Sequence, residues 1–232
     1  MTRDKFKTFG DIFDNYTNRN LLKLISQNIF DGLESPISIG KEANIFSARK
    51  KDGSKVIVKV YRLETCDFNR MYDYIRTDSR FSGIKKNRRK IIFAWAKREY
   101  VNILNAREVG IRVPLPITFR DNIMVMEFIG NTNPAPKIKD SHDVDIKNFA
   151  KKTFEYMKKY YNLGFIHGDL SEYNILEYHG KPVFIDFSQA TSINNPNAEE
   201  LLVRDVKNIC RFFSKRGIKK SQASLMKQIT GK

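Results

Sequence analysis

The apolar residues of this chain change their spacing part-way along, and that change restricts the folds open to it. Between residues 36 and 130 they fall into short runs. Residues 37–39, 44–49 and 55–61 read as strands, with Lys51-Asp52-Gly53-Ser54 as a hairpin turn between the last two. Residues 116–120 and 123–128 form a second strand pair about the turn Asp121-Asn122. Beyond residue 136 the spacing is mainly helical. A helix is expected over 143–163. Another covers 198–213, with Leu201, Leu202, Val206, Ile209, Phe212 and Phe213 on its inner face. Two short strands, near 175–178 and 182–186, flank the turn His179-Gly180. The run Asn-Thr-Asn-Pro-Ala-Pro at 131–136 is a natural hinge. Strands segregated from helices in this way predict an α+β chain of two lobes with a cleft between them.

The remaining segments fit this layout. Residues 11–34 are expected to be helical, with Ile12, Phe13, Tyr16, Leu21, Leu22, Leu24, Ile25 and Ile29 as the periodic positions. The roughly 34 residues that precede the first strand are too few for a full winged helix. Residues 62–90 read as a helix followed by a mobile loop, and 91–108 as a helix stopped by Gly110. The expected division is an N-terminal helical extension (1–34), an N-lobe (35–130) and a C-lobe (131–232).

At 232 residues the chain can bury a core without staples. No apolar run approaches the roughly 18 residues of a membrane span, and the start, Met-Thr-Arg-Asp-Lys-Phe-Lys, has no secretory apolar stretch. Cys66 and Cys210, far apart, read as free thiols of a reducing compartment, hence a cytoplasmic location. No zinc site is apparent. The net charge of +16, from 42 Lys and Arg against 26 Asp and Glu, favours polyanionic partners. The plainer reading is a solvated basic surface.

The densest chemistry lies in His167-Gly168-Asp169-Leu170-Ser171-Glu172-Tyr173-Asn174, followed by Asp186 at the end of an apolar strand. Phosphoryl transfer needs a carboxylate beside the attacking hydroxyl and oxygen ligands for a divalent cation on the phosphates. Asp169 can be the first; Asn174 and Asp186 can be the second. Lys59, on the same face of its strand as Ile57, supplies a cation for phosphates and needs an anion to hold it. Glu99 is the first choice and Glu108 the alternative. The turn at 38–44, with Ser38, Gly40 and Lys41, can offer backbone N–H groups to phosphate oxygens. The strand ending in Met126, Glu127 and Ile129 can present backbone groups to a purine edge. Each of these has a bland counterpart: a surface lysine, a surface glutamate, an ordinary hairpin strand.

Taken together the segments SIGKEAN (38–44), VIVKVYR (56–62), RTDSRF (76–81), WAKREY (95–100), VMEFIG (125–130), PAPKIKD (134–140), HGDLSEYNIL (167–176), IDFSQA (185–190) and NPNAEELLVRD (195–205) resemble the RIO family of atypical serine/threonine protein kinases. The first subfamily, without an N-terminal winged helix, is the better match. The resemblance implies a bilobal protein-kinase-like fold with a trimmed C-lobe, and ATP with Mg²⁺ or Mn²⁺ as cofactors. It implies Asp169 as the catalytic-loop aspartate, Asn174 and Asp186 as metal ligands, and Lys59 paired with Glu99 on the α- and β-phosphates. Residues 38–44 would cover the triphosphate, Met126 would be the gatekeeper, and Glu127 and Ile129 the hinge contacts. Asp186 would also be a possible site of transient aspartyl-phosphate. Further implied are self-phosphorylation, with Thr77, Ser79 and Ser82 as candidates, and a role in small-ribosomal-subunit maturation.

The expected partner is a precursor particle of rRNA and proteins, with no membrane, and residues 85–90 and 215–220 as contact stretches. The departures from an ordinary protein kinase are Gly168 where HRD has arginine, Ser188 where DFG has glycine, and only 46 residues after Asp186. They predict ATP hydrolysis or self-phosphorylation in preference to broad peptide phosphorylation. Two competing readings are a small-molecule phosphotransferase of the aminoglycoside or choline kind, which shares HGDxxxxN, and an rRNA-binding scaffold with a structural nucleotide site.

Overall fold

Strict alternation along one strand organises the first half of the molecule. In β3 (Lys55–Tyr61), Val56, Val58 and Val60 are buried in one apolar cluster with Leu21 and Leu24, while Lys59 and Tyr61 turn to the other face. The computed structural model describes residues 12–231. The charged N-terminal stretch read above, and the first residue of the expected 11–34 helix, lie outside the described residues.

Contacts divide the chain into two units. The first takes in the described residues up to Arg76, with Phe81–Tyr100 and Leu115–Phe128; the second takes in Thr77–Arg80, Val101–Pro114 and the chain from Ile129 onward. In the first, helix α1 (Asn15–Ser26) precedes an antiparallel sheet of β1 (Gly32–Ile39), β2 (Ala43–Arg49), β3, β4 (Pro116–Arg120) and β5 (Ile123–Glu127), ordered β1-β2-β3-β5-β4. Asp14 caps α1 by accepting from the N–H groups of Tyr16 and Thr17. The helix ends at Ser26, well short of residue 34. Asn28 adopts φ 57°, and the N–H groups of Asn28 and Ile29 return to Ile25 O and Leu24 O. That left-handed stop needs no glycine, so the apolar periodicity running on to Ile29 overstated the helix. β1 begins earlier than its sequence suggests. It is an edge strand with Leu33 as its one buried residue, and register shifts flank Pro36.

Helix α2 (Phe68–Arg76) and the start of α3 (Arg88–Glu108) pack Met71, Ile75, Ile91 and Trp95 into a second cluster. Arg88, Arg89 and Lys90, expected in a mobile loop, form the first turn of α3. Cations are unfavourable at that end, and local contacts offset this. Arg88 Nε donates to Leu63 O at 2.6 Å and its Nη2 to Glu64 O and Cys66 O, while Arg89 lies over Tyr16. As a stretch of rRNA contacts, residues 85–90 therefore lose Arg88.

The second unit contains the C-terminal part of α3, α4 (Ile146–Asn162), the short pairs β6 (Phe165–Ile166) with β9 (Thr191–Ser192) and β7 (Ile175–Tyr178) with β8 (Lys181–Phe184), then α5 (Ala198–Lys215) and α6 (Gln222–Thr230). Helix α6 has no periodic signature in the sequence. It has two buried anchors, Leu225 and Ile229, too few for a periodic signal, and a Ser221 cap. Among the described residues no helix is long and apolar enough to cross a membrane.

Candidate active site

In the first unit, Lys59 Nζ lies 2.8 Å from Glu99 Oε1, with side chains 7% and 1% exposed. Glu108, the alternative partner, is exposed at the end of α3. The second Glu99 oxygen accepts from Tyr61 OH, and Lys59 Nζ stands 5.2 Å from the Tyr61 ring centre. Tyr61 is thus a third member of the group that the sequence reading did not identify. Its place two residues after Lys59 on one strand was the available signal.

The turn joining β1 to β2 is closed by Gly40 N–H, which donates to Ala43 O at 3.1 Å and so is not open to a phosphate, and is held from outside through its carbonyls. Thr65 Oγ1 donates to Lys41 O at 2.8 Å, and Arg62 N–H and the Cys66 thiol both donate to Glu42 O at 2.9 Å. Burial pushes the Cys66 thiol up to about 11, so it remains a donor. Gly40 is needed because a Cβ there would meet Ala43 O at 2.9 Å. Ser38 is exposed and pairs with Ile45 across the ladder, and Lys41 is exposed.

The strand end is less open than expected. Glu127 N–H donates to Leu115 O at 2.8 Å, and Ile129 O accepts from Ala135 N–H at 2.9 Å. The expectation that the backbone groups of both residues stand open for a purine is therefore corrected to a smaller set. Met126 is buried, pairing with Ile57 across the sheet.

In the second unit, one loop carries Asp169 and Asn174, and the β7–β8 hairpin returns the chain beside Asn174 just before Asp186. Asn174 Nδ2 donates to Asp169 O at 2.8 Å and to Asp169 Oδ2 at 3.3 Å, and Ile185 N–H donates to Asn174 O at 3.0 Å. Asp186, next in the chain, has left-handed backbone (φ 62°, ψ 68°), a conformation costing roughly 1–2 kcal/mol in a residue with a Cβ. Ser188 Oγ donates to Asp186 Oδ1 at 2.8 Å, a bond that a glycine in its place could not make. The oxygen-rich donor set suits a hard divalent cation. Asn174 has its NH₂ engaged by Asp169, which leaves Oδ1 as the acceptor, and Asp186 adds a carboxylate.

The loop itself hangs on α5. Asp205, 1% exposed, accepts from Gly168 N–H at 2.8 Å and Leu170 N–H at 2.7 Å. Burial pushes its carboxyl up to about 7, against the opposing pull of those two donors. Arg204 Nη2 donates to Gly168 O and lies 3.8 Å from Asp169 Oδ1. Gly168 is irreplaceable on two counts: φ is 77°, and a Cβ would meet Gln189 O at 2.8 Å. Arg204 and Asp205 were not among the residues expected at the site. An aspartate on the apolar face of α5, between Leu201 and Ile209 at helical spacing, was the signal.

His167 is buried against Phe184 and Phe187, and its Nε2 meets Ile185 O at 3.1 Å. Desolvation lowers its pKa to about 4 from the ordinary 6.5. The folded protein therefore holds it neutral while the unfolded chain protonates first. Its contribution to stability is complete above pH 6.5 and is lost as the pH falls towards 4, amounting to about 3 kcal/mol. Melting temperature measured across this window should fall less steeply in His167→Gln than in the wild type. Parallel curves would show that His167 does not drive the acid limb.

The RIO domain family model matches residues 44–226. The chain belongs to the RIO kinase family. Over 231 residues it is 43% identical to the RIO-type serine/threonine-protein kinase Rio1 of Methanocaldococcus jannaschii, covering 99% of this chain and 79% of that relative. Over 229 residues it is 38% identical to Rio1 of Haloferax volcanii, again covering 79% of the relative and 98% of this chain. A crystal structure of the Rio2 kinase-ADP/Mg²⁺-phosphoaspartate complex from Chaetomium thermophilum superposes with a TM-score of 0.70 at 23% identity. It covers 91% of this chain and 66% of that one. The fold is thus the α+β kinase-like fold of that family, with a β-rich N-lobe and a helical C-lobe, and the RIO chain described here is a serine/threonine-protein kinase by class.

Proposed function

We propose that this RIO kinase binds ATP with Mg²⁺ or Mn²⁺ and transfers the γ-phosphoryl group to a hydroxyl or carboxylate acceptor, using the residues singled out above. The observation that supports this most directly is the hydrogen-bonded run Asp169–Asn174–Ile185, which links the loop of Asp169 and Asn174 to the strand end that precedes Asp186. Lys59, held by Glu99, contacts the α- and β-phosphates. Residues 38–44, with Ser38, Gly40 and Lys41, cover the triphosphate; the Gly40 N–H is spent on Ala43 O, and turn carbonyls are engaged by Arg62, Thr65 and Cys66. Met126 lies behind the purine, and Glu127 and Ile129 border its edge.

Asn174 and Asp186 would hold the divalent ion, which when bound neutralises charge on the phosphate oxygens. Asp169 accepts the proton of the attacking hydroxyl as the new O–P bond forms and ADP departs. Where Asp186 is itself the acceptor, its carboxylate attacks the γ-phosphorus to give an aspartyl-phosphate and ADP. Self-phosphorylation at Thr77, Ser79 or Ser82 belongs to the same proposal. Thr77 Oγ1 accepts from Asn195 Nδ2 at 2.9 Å, which occupies one of its two lone pairs.

The +16 charge supports docking on a small-ribosomal-subunit precursor, whose RNA phosphates dominate the long-range field, with residues 215–220 as a contact stretch. The test is paired. The full chain with ATP and Mg²⁺ should release ADP and acquire acid-stable or acid-labile phosphate. Its affinity for small-subunit particles should fall steeply between 50 and 200 mM salt. No ADP release overturns the catalytic reading, and a flat salt response overturns the electrostatic docking.

A further inference from the structure

The chain leaves the first unit at Arg76, gives four residues, Thr77–Arg80, to the second, and returns at Phe81. Those four residues are tied to the loop that carries Asp186. Arg80 is aimed by Asp78, whose carboxylate accepts from Nε at 2.9 Å and Nη2 at 2.6 Å. The guanidinium stands 5.4 Å from the Phe165 ring centre. From that fork Nη2 also donates to Asn102 Oδ1 at 2.9 Å. Asn102 is wholly buried, and its Nδ2 donates to Phe187 O at 3.0 Å and Ala190 O at 2.9 Å. Its own carbonyl accepts from Tyr160 OH at 3.3 Å. One amide thus grips both ends of the turn that follows Asp186, and one arginine fixes which way that amide faces.

We propose that Arg80 and Asn102 are positioning residues for Asp186, and that the 77–80 segment is a strap whose attachment sets the affinity of the site for a divalent ion. The turn needs an outside hold because Asp186 itself sits in a left-handed conformation that its side chain disfavours. Groups that orient a metal ligand without touching the metal typically change affinity by about 10–100-fold when removed. Without Arg80, Asn102 can rotate its amide, and the carbonyls of Phe187 and Ala190 lose a donor. The inference rests on reading Asp186 as a metal ligand.

The test uses the full chain and two readouts. In metal-free protein, hydrogen exchange at the amides of residues 187–190 should quicken by about tenfold in Arg80→Ala. Titration of Mn²⁺ in the presence of ADP, followed by electron paramagnetic resonance, should show affinity weakened by about tenfold. Arg80→Lys, which keeps one donor, should recover part of both. Because Arg80 has a partly exposed side chain, these variants avoid the core disruption that Asn102→Ala risks. Asp186→Asn is the reference. If it abolishes Mn²⁺ binding while Arg80→Ala leaves both readouts at wild-type values, the strap is overturned and the Asp186 assignment stands. If Asp186→Asn binds Mn²⁺ as wild type does, both fall.

Discussion

Asp169→Ala will lower kcat by about 10²–10⁴-fold, the usual contribution of a positioned general base, while leaving ATP affinity close to that of the wild type. The separation follows from where the carboxylate is anchored. Its Oδ2 accepts from Asn174, its Oδ1 faces Arg204 at 3.8 Å, and the side chain remains 43% exposed. It is therefore held in place yet open to an incoming hydroxyl. The backbone beneath it is fixed independently by Asp205 through Gly168 and Leu170, so truncation of the side chain leaves the loop standing. Single-turnover ADP formation and calorimetric ATP titration measure the two quantities separately. Turnover within twofold of wild type would remove Asp169 from the chemistry. A parallel loss of ATP binding would make it a structural residue.

Glu99→Ala should be the most damaging single change to stability. It removes the carboxylate addressed by both Lys59 and Tyr61, at a site where the glutamate is 1% and the lysine 7% exposed. An ammonium left buried without its counter-ion costs about 3–5 kcal/mol, equivalent to a fall in melting temperature of roughly 6–20 °C for a chain of this size. Turnover should also drop at least tenfold, about 1.4 kcal/mol. The double variant Lys59→Met with Glu99→Leu separates the two effects. An apolar pair of similar volume should restore much of the melting temperature without restoring turnover. Recovery of both would show that the ion pair serves only the fold, and a Glu99→Ala protein melting within 2 °C of wild type would show that the pair is not buried in solution.

The distance between sequence and structure differs from one residue to the next. Lys59 was legible because strand alternation fixes which face it takes, and β3 keeps that alternation over its whole length. Asp169 and Asn174 were legible because five residues in one loop cannot stray far apart. The choice of Glu99 over Glu108 was not decided by periodicity, since both lie on α3. Packing decided it, by burying one and exposing the other. The limits of α1 and α6 were misread or missed where a stop depends on one asparagine, or a helix on two apolar anchors. The polar residues between 76 and 90 looked like solvated loop by composition, yet Asp78, Arg80 and Arg88 each find specific partners. Composition counts polar groups but does not say which of them meet.

By itself the sequence determined the family and, α6 excepted, the succession of strands and helices, because these follow from spacing along the chain and from side-chain character. Only the tertiary structure decided that Asp205 suspends the catalytic loop, that Tyr61 joins the Lys59–Glu99 pair, and that Arg80 reaches the Asp186 turn through Asn102. Those bonds form between residues up to 88 positions apart. Their energy comes from satisfying polar groups withdrawn from water, and which groups are withdrawn together is settled only when the core closes.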